Sequence, residues 1–140
     1  MVSMWQEPAS ALVERGEPGW AGLWALLDAA GHAALTLSLA VPLGAGVDLA
    51  FAAIELGEAR DELEWAREDL TARAPVRLGP LHIGDSVDGA RRVVGRLVEA
   101  AIDRALVLDD GAITPDELAC LGRVLHKLHA ALQEFARAAV

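Results

Sequence analysis

Residues 114–139 read TPDELACLGRVLHKLHAALQEFARAA, and an apolar side chain recurs there at every third or fourth position. The series comprises Leu118, Leu121, Leu125, Leu128, Leu132, Phe135 and Ala139. Thr114 and Glu117 have the spacing of a capping box, and Pro115 occupies a first-turn position that tolerates proline. The pattern predicts a helix that begins near residue 114 and buries one stripe against another helix.

Two earlier stretches also have the periodicity of long helices. Between residues 47 and 72 leucine and alanine alternate on one side, at Leu49, Ala52, Leu56, Ala59, Leu63, Ala66 and Leu70. Residues 87–108 form another striped helix, which either Asp85 or Ser86 can cap. The short turn at residues 109–111 predicts that the last two helices are antiparallel neighbours.

A further helix is expected from Pro18 or Gly19 to about Ala34, after a short helical turn at residues 9–14. The predicted fold class is therefore all-α, roughly a four-helix bundle. Residues 35–41, which read LTLSLAV, fit two structures. Their strict alternation is typical of a short β element, but the same residues could also continue the preceding helix until Pro42 ends it.

One segment could divide the chain. Residues 75–84 read PVRLGPLHIG and have the composition of a linker. At 140 residues, a single helical domain over residues 1–140 is the default expectation. The alternative is a subdivision into residues 1–74 and 85–140, joined by this linker.

Composition argues against several classes of function. The chain is 54% hydrophobic, only 4% aromatic, and has a formal net charge of -9. Nucleic-acid binding needs a basic face and often exposed aromatic side chains, so no nucleic-acid partner is expected. The abundant alanine and leucine instead suit close-packed helices, and protein partners in a homo- or hetero-oligomer are expected to bind through helix seams.

Compartment can be inferred from two features. Cys120 is the single cysteine, and no basic start followed by an apolar run marks a signal peptide, so we expect a cytoplasmic protein. Residues 29–47 carry no Asp, Glu, Lys or Arg, which makes them a candidate for a membrane span. Pro42 interrupts the window and no Lys or Arg cluster flanks it, so a buried core segment is the preferred interpretation and membrane association is not expected.

The helix over residues 47–72 has a strongly acidic outer face. Glu55, Glu58 and Glu62 lie on it, and they fit either a solvated surface or a docking surface for a basic partner. Together with the leucine and phenylalanine stripe of residues 118–135, these three carboxylates are the interaction residues that the sequence predicts.

No catalytic group, metal ligand or cofactor site is indicated. His126 and His129 share a helical face, but zinc or iron would need further ligands, and His32, His82 and Cys120 are scattered along the chain. Asp28 and His32 are one helical turn apart in an apolar stretch. They could line a polar pocket, form an exposed edge, or tie two helices together as a buried pair.

The C-terminal third resembles the gas vesicle K-type accessory proteins. The motifs that carry the resemblance are Val87-Asp88, Val93-Val94, Leu97-Val98-Glu99, Gly111-x-x-Thr114-x-x-Glu117, Gly122-x-x-Leu125-x-x-Leu128 and Glu134-Phe135. The N-terminal half is more faintly similar to the small gas vesicle shell family, through Leu26-Leu27-Asp28, the alternating residues 35–41 and Gly46-Val47-Asp48-Leu49. The resemblance implies a non-enzymatic assembly factor that binds shell or accessory subunits through its helices.

A second function, of a different class, is also compatible with the sequence. Trp20, Trp24, Asp28 and His32 could line an apolar pocket with a few polar groups. The chain would then be a small-molecule-binding bundle or a small enzyme of secondary metabolism. The position of the His32 side chain, inside or outside such a pocket, distinguishes this hypothesis from the assembly hypothesis.

Overall fold

The computed structural model describes residues 4–81, 86–112 and 114–138. Within these ranges it contains five α-helices and one 3-10 helix. The helices are α1 (Gln6–Arg15), α2 (Gly19–Ser38), α3 (Leu43–Ala66), the 3-10 helix Glu68–Ala72, α4 (Val87–Asp110) and α5 (Pro115–Ala138). The predicted all-helical fold class is confirmed, with one short helix, α1, in addition to four long ones.

The four long helices form a closed bundle. α2 packs against α3 and α4, and α5 packs against the same two helices, so α2 and α5 lie diagonally opposite each other. Each long helix contributes a fully buried leucine to one core, namely Leu27, Leu56, Leu97 and Leu128. α1 covers part of α4. The helices before and after the predicted linker therefore share a single hydrophobic core.

The direction of α5 against α3 follows from their ion pairs. Arg123 pairs with Glu62, and Lys127, one turn later, pairs with Glu58. Residue numbers therefore rise along α5 as they fall along α3, which makes the two helices antiparallel.

Sequence signals at two helix starts are confirmed. The Thr114 hydroxyl accepts a hydrogen bond from the Glu117 N–H at 3.1 Å, and Oε1 of Glu117 accepts one from the Thr114 N–H at 3.3 Å. These are the two reciprocal bonds of a capping box. At the start of α4, Oγ of Ser86 accepts from the Gly89 N–H at 3.0 Å. Asp85, the alternative cap, lies outside the described residues.

Of the two structures that residues 35–41 fit, the short β element is not present, so that alternative was wrong. α2 continues to Ser38, and a bend at residues 39–42 leads into α3. Leu37 and the alanines before it fill the core in helical register, whereas Leu35 and Leu39 are exposed. A strand would place Leu35, Leu37 and Leu39 on the same face. Only Leu37 is buried, together with Ala33 and Ala34 on the same side of α2, and this burial pattern fits a helix.

Residues 42–46 contain one proline and two glycines, a composition that predicts a turn, but in the structure they form the start of α3. Pro42 precedes the first turn of α3, and Gly46 already lies within the helix, where its N–H donates to the Pro42 carbonyl at 2.8 Å. A side chain on Gly46 would not fit, because its Cβ would lie 2.6 Å from the carbonyl oxygen of Ser38. This glycine therefore serves the close approach of α2 and α3 rather than a turn.

The uncharged window at residues 29–47 is shared by the end of α2 and the start of α3. Among the helices that the structure describes, none is both long and apolar enough to cross a membrane.

Candidate functional site

Asp28 is the one charged residue that is buried in the described part of the chain, with 5% of its surface exposed. Its Oδ1 accepts a hydrogen bond from Nη1 of Arg60 on α3 at 2.9 Å. Its Oδ2 accepts two more, from the Val76 N–H and from Nη1 of Arg77, both at 2.8 Å. One carboxylate thus joins α2, α3 and the extended segment that follows the 3-10 helix.

The electrostatics of Asp28 are those of a stabilised carboxylate. Burial by itself raises the pKa of this group, because it disfavours the charged form. The hydrogen bonds from the Val76 N–H, Arg60 and Arg77 outweigh burial and hold the pKa of Asp28 below its ordinary value. Asp28 is therefore ionised at neutral pH and functions as an acceptor, which makes it unsuitable as a general acid.

A groove opens beside this cluster, between α2 and α3, with a volume of about 330 Å³. It is lined by Leu27, Asp28, Gly31, His32, Leu35, Ala50, Ala53, Ile54, Gly57, Arg60 and Arg77. The walls are mostly aliphatic, and the charged residues come from three segments of the chain. A mostly apolar groove with a few polar groups is typical of a small-molecule site.

His32 lines the groove but is exposed, and the hydrogen bonds of Asp28 go to the arginines and to Val76. Burial, and then the charge of Arg77, lower the pKa of His32, while the charge of Asp28 opposes the shift. His32 is therefore mostly neutral at pH 7. Of the three expectations for Asp28 and His32, the structure favours shared lining of a groove over a buried pair.

Trp20 and Trp24, which the sequence placed with Asp28 and His32, do not line the groove. The guanidinium of Arg67 lies over the Trp20 ring, 4.9 Å from its centroid. Nε1 of Trp24 donates to Oε1 of Glu64 at 3.0 Å. Both tryptophans hold the end of α3 and the segment after it against α2, so their role here is structural.

A second feature is an unusual exposed apolar surface on α2, α3 and the bend between them, which we call the apolar face. It consists of Leu35, Leu39, Leu43, Val47, Phe51 and Ile54, all exposed. Leu39 and Leu43 have 85% and 84% of their surface exposed. On α3 the spacing from Leu43 to Ile54 keeps these side chains on one side, opposite the buried seam of Leu49, Leu56 and Leu63.

The same side of α3 becomes acidic toward its C-terminal end. Glu58 and Asp61 continue the line of the apolar face, and Trp65 follows one turn later with 87% of its surface exposed. Large apolar patches with a polar border mark interaction sites more often than isolated exposed side chains do.

The interaction residues predicted on the last helix lie mainly in the core of this chain. Leu121, Leu128 and Phe135 are buried, and Leu125 and Leu132 are partly buried against the same core. Leu118 is the exposed member of the series, at 46%, and Ala139 lies outside the described residues. In this conformation the stripe packs on the neighbouring helices, so most of it is already occupied.

The predicted acidic residues face α5. Glu58 and Glu55 flank Lys127, with the Glu55 carboxylate 3.9 Å from its Nζ, and Oε2 of Glu62 is 2.7 Å from Nε of Arg123. Glu58 still has about half of its side chain exposed. These carboxylates therefore contribute to packing between α3 and α5, and Glu58 also remains accessible on the outer side of α3.

The histidines and the cysteine, which were considered as metal ligands or reactive groups, do not form a common site within the described residues. His126 and His129 are exposed on α5, and Nδ1 of His129 contacts the Leu125 carbonyl oxygen at 2.8 Å. Cys120 is buried, its Sγ donates to the Glu62 carbonyl at 3.4 Å, and burial raises the pKa of the thiol. Among residues 4–81, 86–112 and 114–138, no group of three or more His, Cys, Asp or Glu is arranged to hold a metal ion. His82 lies outside these ranges.

Arg60 and Arg77 are the site residues that the sequence reading missed. Asp28 lies within the apolar run LWALLDAAGHAAL, and this position predicts that a cationic side chain pairs with it, because an unpaired buried charge is costly. The chain offers twelve lysines and arginines, and spacing does not tell which of them the fold brings to Asp28.

Comparisons with protein-family models, with curated proteins and with solved structures gave no match to this chain. The function must therefore be inferred from the groove, the Asp28 cluster and the apolar face.

Proposed function

We propose that this chain is a non-enzymatic interaction protein that binds an amphipathic helix of a partner protein on its apolar face. The observation that carries the proposal is the set of six large exposed apolar side chains, from Leu35 to Ile54, on two consecutive helices and the bend that joins them. Transfer of such side chains out of water is favourable by about 25 cal/mol per Å² of apolar surface.

Charge indicates what kind of helix would fit. α3 carries six acidic residues and one arginine, and the whole chain has a net charge of -9. Glu58 and Asp61 border the apolar face on the outer side of α3. A partner helix with apolar residues along one side and lysine or arginine at one end would bury its apolar side and place its charges opposite these carboxylates.

A second copy of this chain is a poorer occupant. Two parallel α3 helices would bring Glu58 and Asp61 of each copy together, and two antiparallel helices would bring these carboxylates against the apolar half of the other copy. Both arrangements carry an electrostatic or desolvation cost, and the charge of -9 on each chain adds repulsion.

The resemblance to gas vesicle accessory proteins supplies a concrete setting for this proposal. In that setting the chain would be an assembly factor, and the partner would be an apolar helix of a shell or accessory subunit that is shielded until it is incorporated. Genes for such subunits next to the gene of this chain would support the setting. Their absence would remove the setting but leave helix binding to be tested by itself.

The test uses two labelled synthetic helical peptides with the same leucine-rich side. One peptide carries lysine and arginine at one end, and the other carries glutamate at the same positions. Fluorescence anisotropy should give about tenfold tighter binding, or more, for the basic peptide at low salt, and this preference should shrink as salt is added.

Matched variants locate the binding surface. Val47→Asp places a charge in the middle of the apolar face and should weaken binding of the basic peptide by about tenfold or more. Val107→Asp makes the same change at an exposed valine on α4 and should leave the affinity within about twofold. Equal binding of both peptides, equal effects of both substitutions, or a stable dimer that buries the apolar face would overturn the proposal.

A further inference from the structure

We propose that the groove between α2 and α3 binds a small anionic amphiphile, an aliphatic carboxylate whose acid group meets Arg60 and Arg77 and whose chain lies along the apolar walls. This ligand site is separate in chemistry from the helix-docking surface, although the two share Leu35 and Ile54 at their border.

The polar end of the groove offers more donors than acceptors. Both oxygens of Asp28 already accept hydrogen bonds, three in total. Nε of Arg60 is buried and has no hydrogen-bond partner among the described residues. Arg77 makes its two hydrogen bonds within the described ranges through Nη1, which leaves its other guanidinium donors for a ligand. A molecule that supplies acceptor oxygens therefore complements this end.

Formal charge gives the same preference. The charged lining residues are Asp28, Arg60 and Arg77, so the lining carries one net positive charge when His32 is neutral. Asp61 also accepts from Arg60 at 3.3 Å, but its side chain is mostly exposed and its charge is screened by water. A carboxylate matches the planar donor arrangement of an arginine, whereas an ammonium group would be repelled.

The rest of the groove suits a hydrocarbon chain. Leu27, Leu35, Ala50, Ala53 and Ile54 provide aliphatic walls. Gly31 and Gly57 face the groove from the two helices, and a Cβ added at Gly57 would meet no atom within 4 Å. The space at Gly57 is therefore open, and a larger side chain can enter it without disturbing the Asp28 cluster.

The experiment measures decanoate and decylammonium binding by isothermal titration calorimetry, below the concentrations at which either forms micelles. Decanoate should bind at least about tenfold more tightly than decylammonium. Backbone amide shifts of Gly31 and Gly57 in NMR spectra should move with decanoate. Equal affinities for the two probes, no decanoate binding, or shifts confined to other regions would overturn the proposal.

Matched glycine variants test the location. Gly57→Leu fills the groove and should weaken decanoate binding by about tenfold or more. Gly122→Leu makes the same change at an exposed helical glycine of α5 whose surroundings are equally open, and it should leave the affinity within about twofold. Should Gly57→Leu not fold, Ala50→Phe fills the groove from about two turns earlier on α3 and carries the same expectation. Wild-type affinity in both filling variants would contradict the proposal.

Arginine variants separate ligand binding from structural support. Arg77→Gln should lower the ratio of decanoate to decylammonium affinity, and Arg77→Lys should largely restore that ratio. A loss of structural support alone would weaken both probes equally and leave the ratio unchanged, which would contradict the assigned role. Val47→Asp, which tests helix docking, should leave decanoate binding within about twofold, so failure of one proposal is distinguishable from failure of the other.

Discussion

The carboxylate of Asp28 on α2 is bound by the guanidinium of Arg60 on α3, with 2.9 Å between Oδ1 and Nη1. Arg77 and the Val76 N–H complete the binding of the same group from the segment after α3. Because α2 and α3 carry both the groove and the apolar face, this buried ion pair fixes the relative position of the two helices on which each proposed site depends. Its loss should therefore be measurable as a loss of stability.

Asp28→Asn is expected to lower the free energy of unfolding by about 1.5 to 3 kcal/mol at pH 7, the range for hydrogen bonds to charged groups. The variant removes the charge that Arg60 and Arg77 share. The two arginine side chains are 34% and 41% exposed, so water can solvate them in part and the cost stays below that of a fully buried unpaired charge. Urea unfolding followed by circular dichroism gives the value.

The same variant should alter the response to acid. Since the folded state lowers the pKa of Asp28, its stabilisation is complete above the ordinary pKa of an aspartate, about 3.9, and is lost as pH falls through the lowered folded value. The difference in unfolding free energy between wild type and Asp28→Asn should be constant from about pH 6 to 8 and should shrink below about pH 5. Asp103→Asn, at an exposed position on α4, is the control. An equal loss in the control would contradict the prediction.

How far the sequence predicts the fold is seen most clearly on α5. The heptad series correctly predicted a helix with one buried side, because burial and periodicity are coupled in a bundle. It did not tell whether Leu128 meets another helix of the same chain or a second protein, since both surfaces look alike in sequence. For residues 35–41 the alternating leucines left both a strand and a helix open, and contacts of Leu37 with distant helices, which the sequence does not show, favour the helix that is found.

The candidate sites depend still more on distant contacts. The groove needs Gly31 opposite Gly57 and Arg77 beside Asp28, pairings that only the packing of α2 on α3 creates. The apolar face could have been suspected, because residues 43, 47, 51 and 54 repeat at helical spacing on the side opposite the leucine and alanine seam. A helix that is apolar on two opposite sides has more to bury than one bundle provides.

Substitution to alanine should distinguish the buried leucines of α5 from the exposed one. Leu128→Ala removes a fully buried side chain and should lower the free energy of unfolding by about 2 to 5 kcal/mol. Leu118→Ala makes the same change at the exposed end of the series and should cost less than about 0.5 kcal/mol. Chemical denaturation of both variants measures the difference. Similar costs at the two positions would show that Leu118 also packs against other residues.

Two glycines near the start of α3 provide a matched comparison of close packing. Gly46→Ala should destabilise the chain by about 1 to 3 kcal/mol, because the new Cβ would lie 2.6 Å from the Ser38 carbonyl oxygen and would push α2 and α3 apart. Gly44→Ala, one half-turn earlier, meets no atom within 4 Å and should stabilise the helix by about 0.5 kcal/mol through its higher helix propensity. Thermal unfolding of both variants measures the contrast, and a stabilising Gly46→Ala would contradict the observed helix contact.

Cys120 gives a probe of how often α3 and α5 separate. Its thiol is buried and donates to the Glu62 carbonyl, and burial together with the Glu62 charge raises its pKa, although Arg123 opposes this shift. Burial of the thiol and its raised pKa both reduce the amount of accessible thiolate, which is the reactive form.

Labelling of Cys120 with a disulfide reagent at pH 8 should therefore be slow in the folded chain and fast in urea. Leu128→Ala should accelerate the slow reaction, because a less stable bundle opens more often, whereas Leu118→Ala should not. Rapid labelling of the folded wild type would contradict the packing of α5 on α3 at this position.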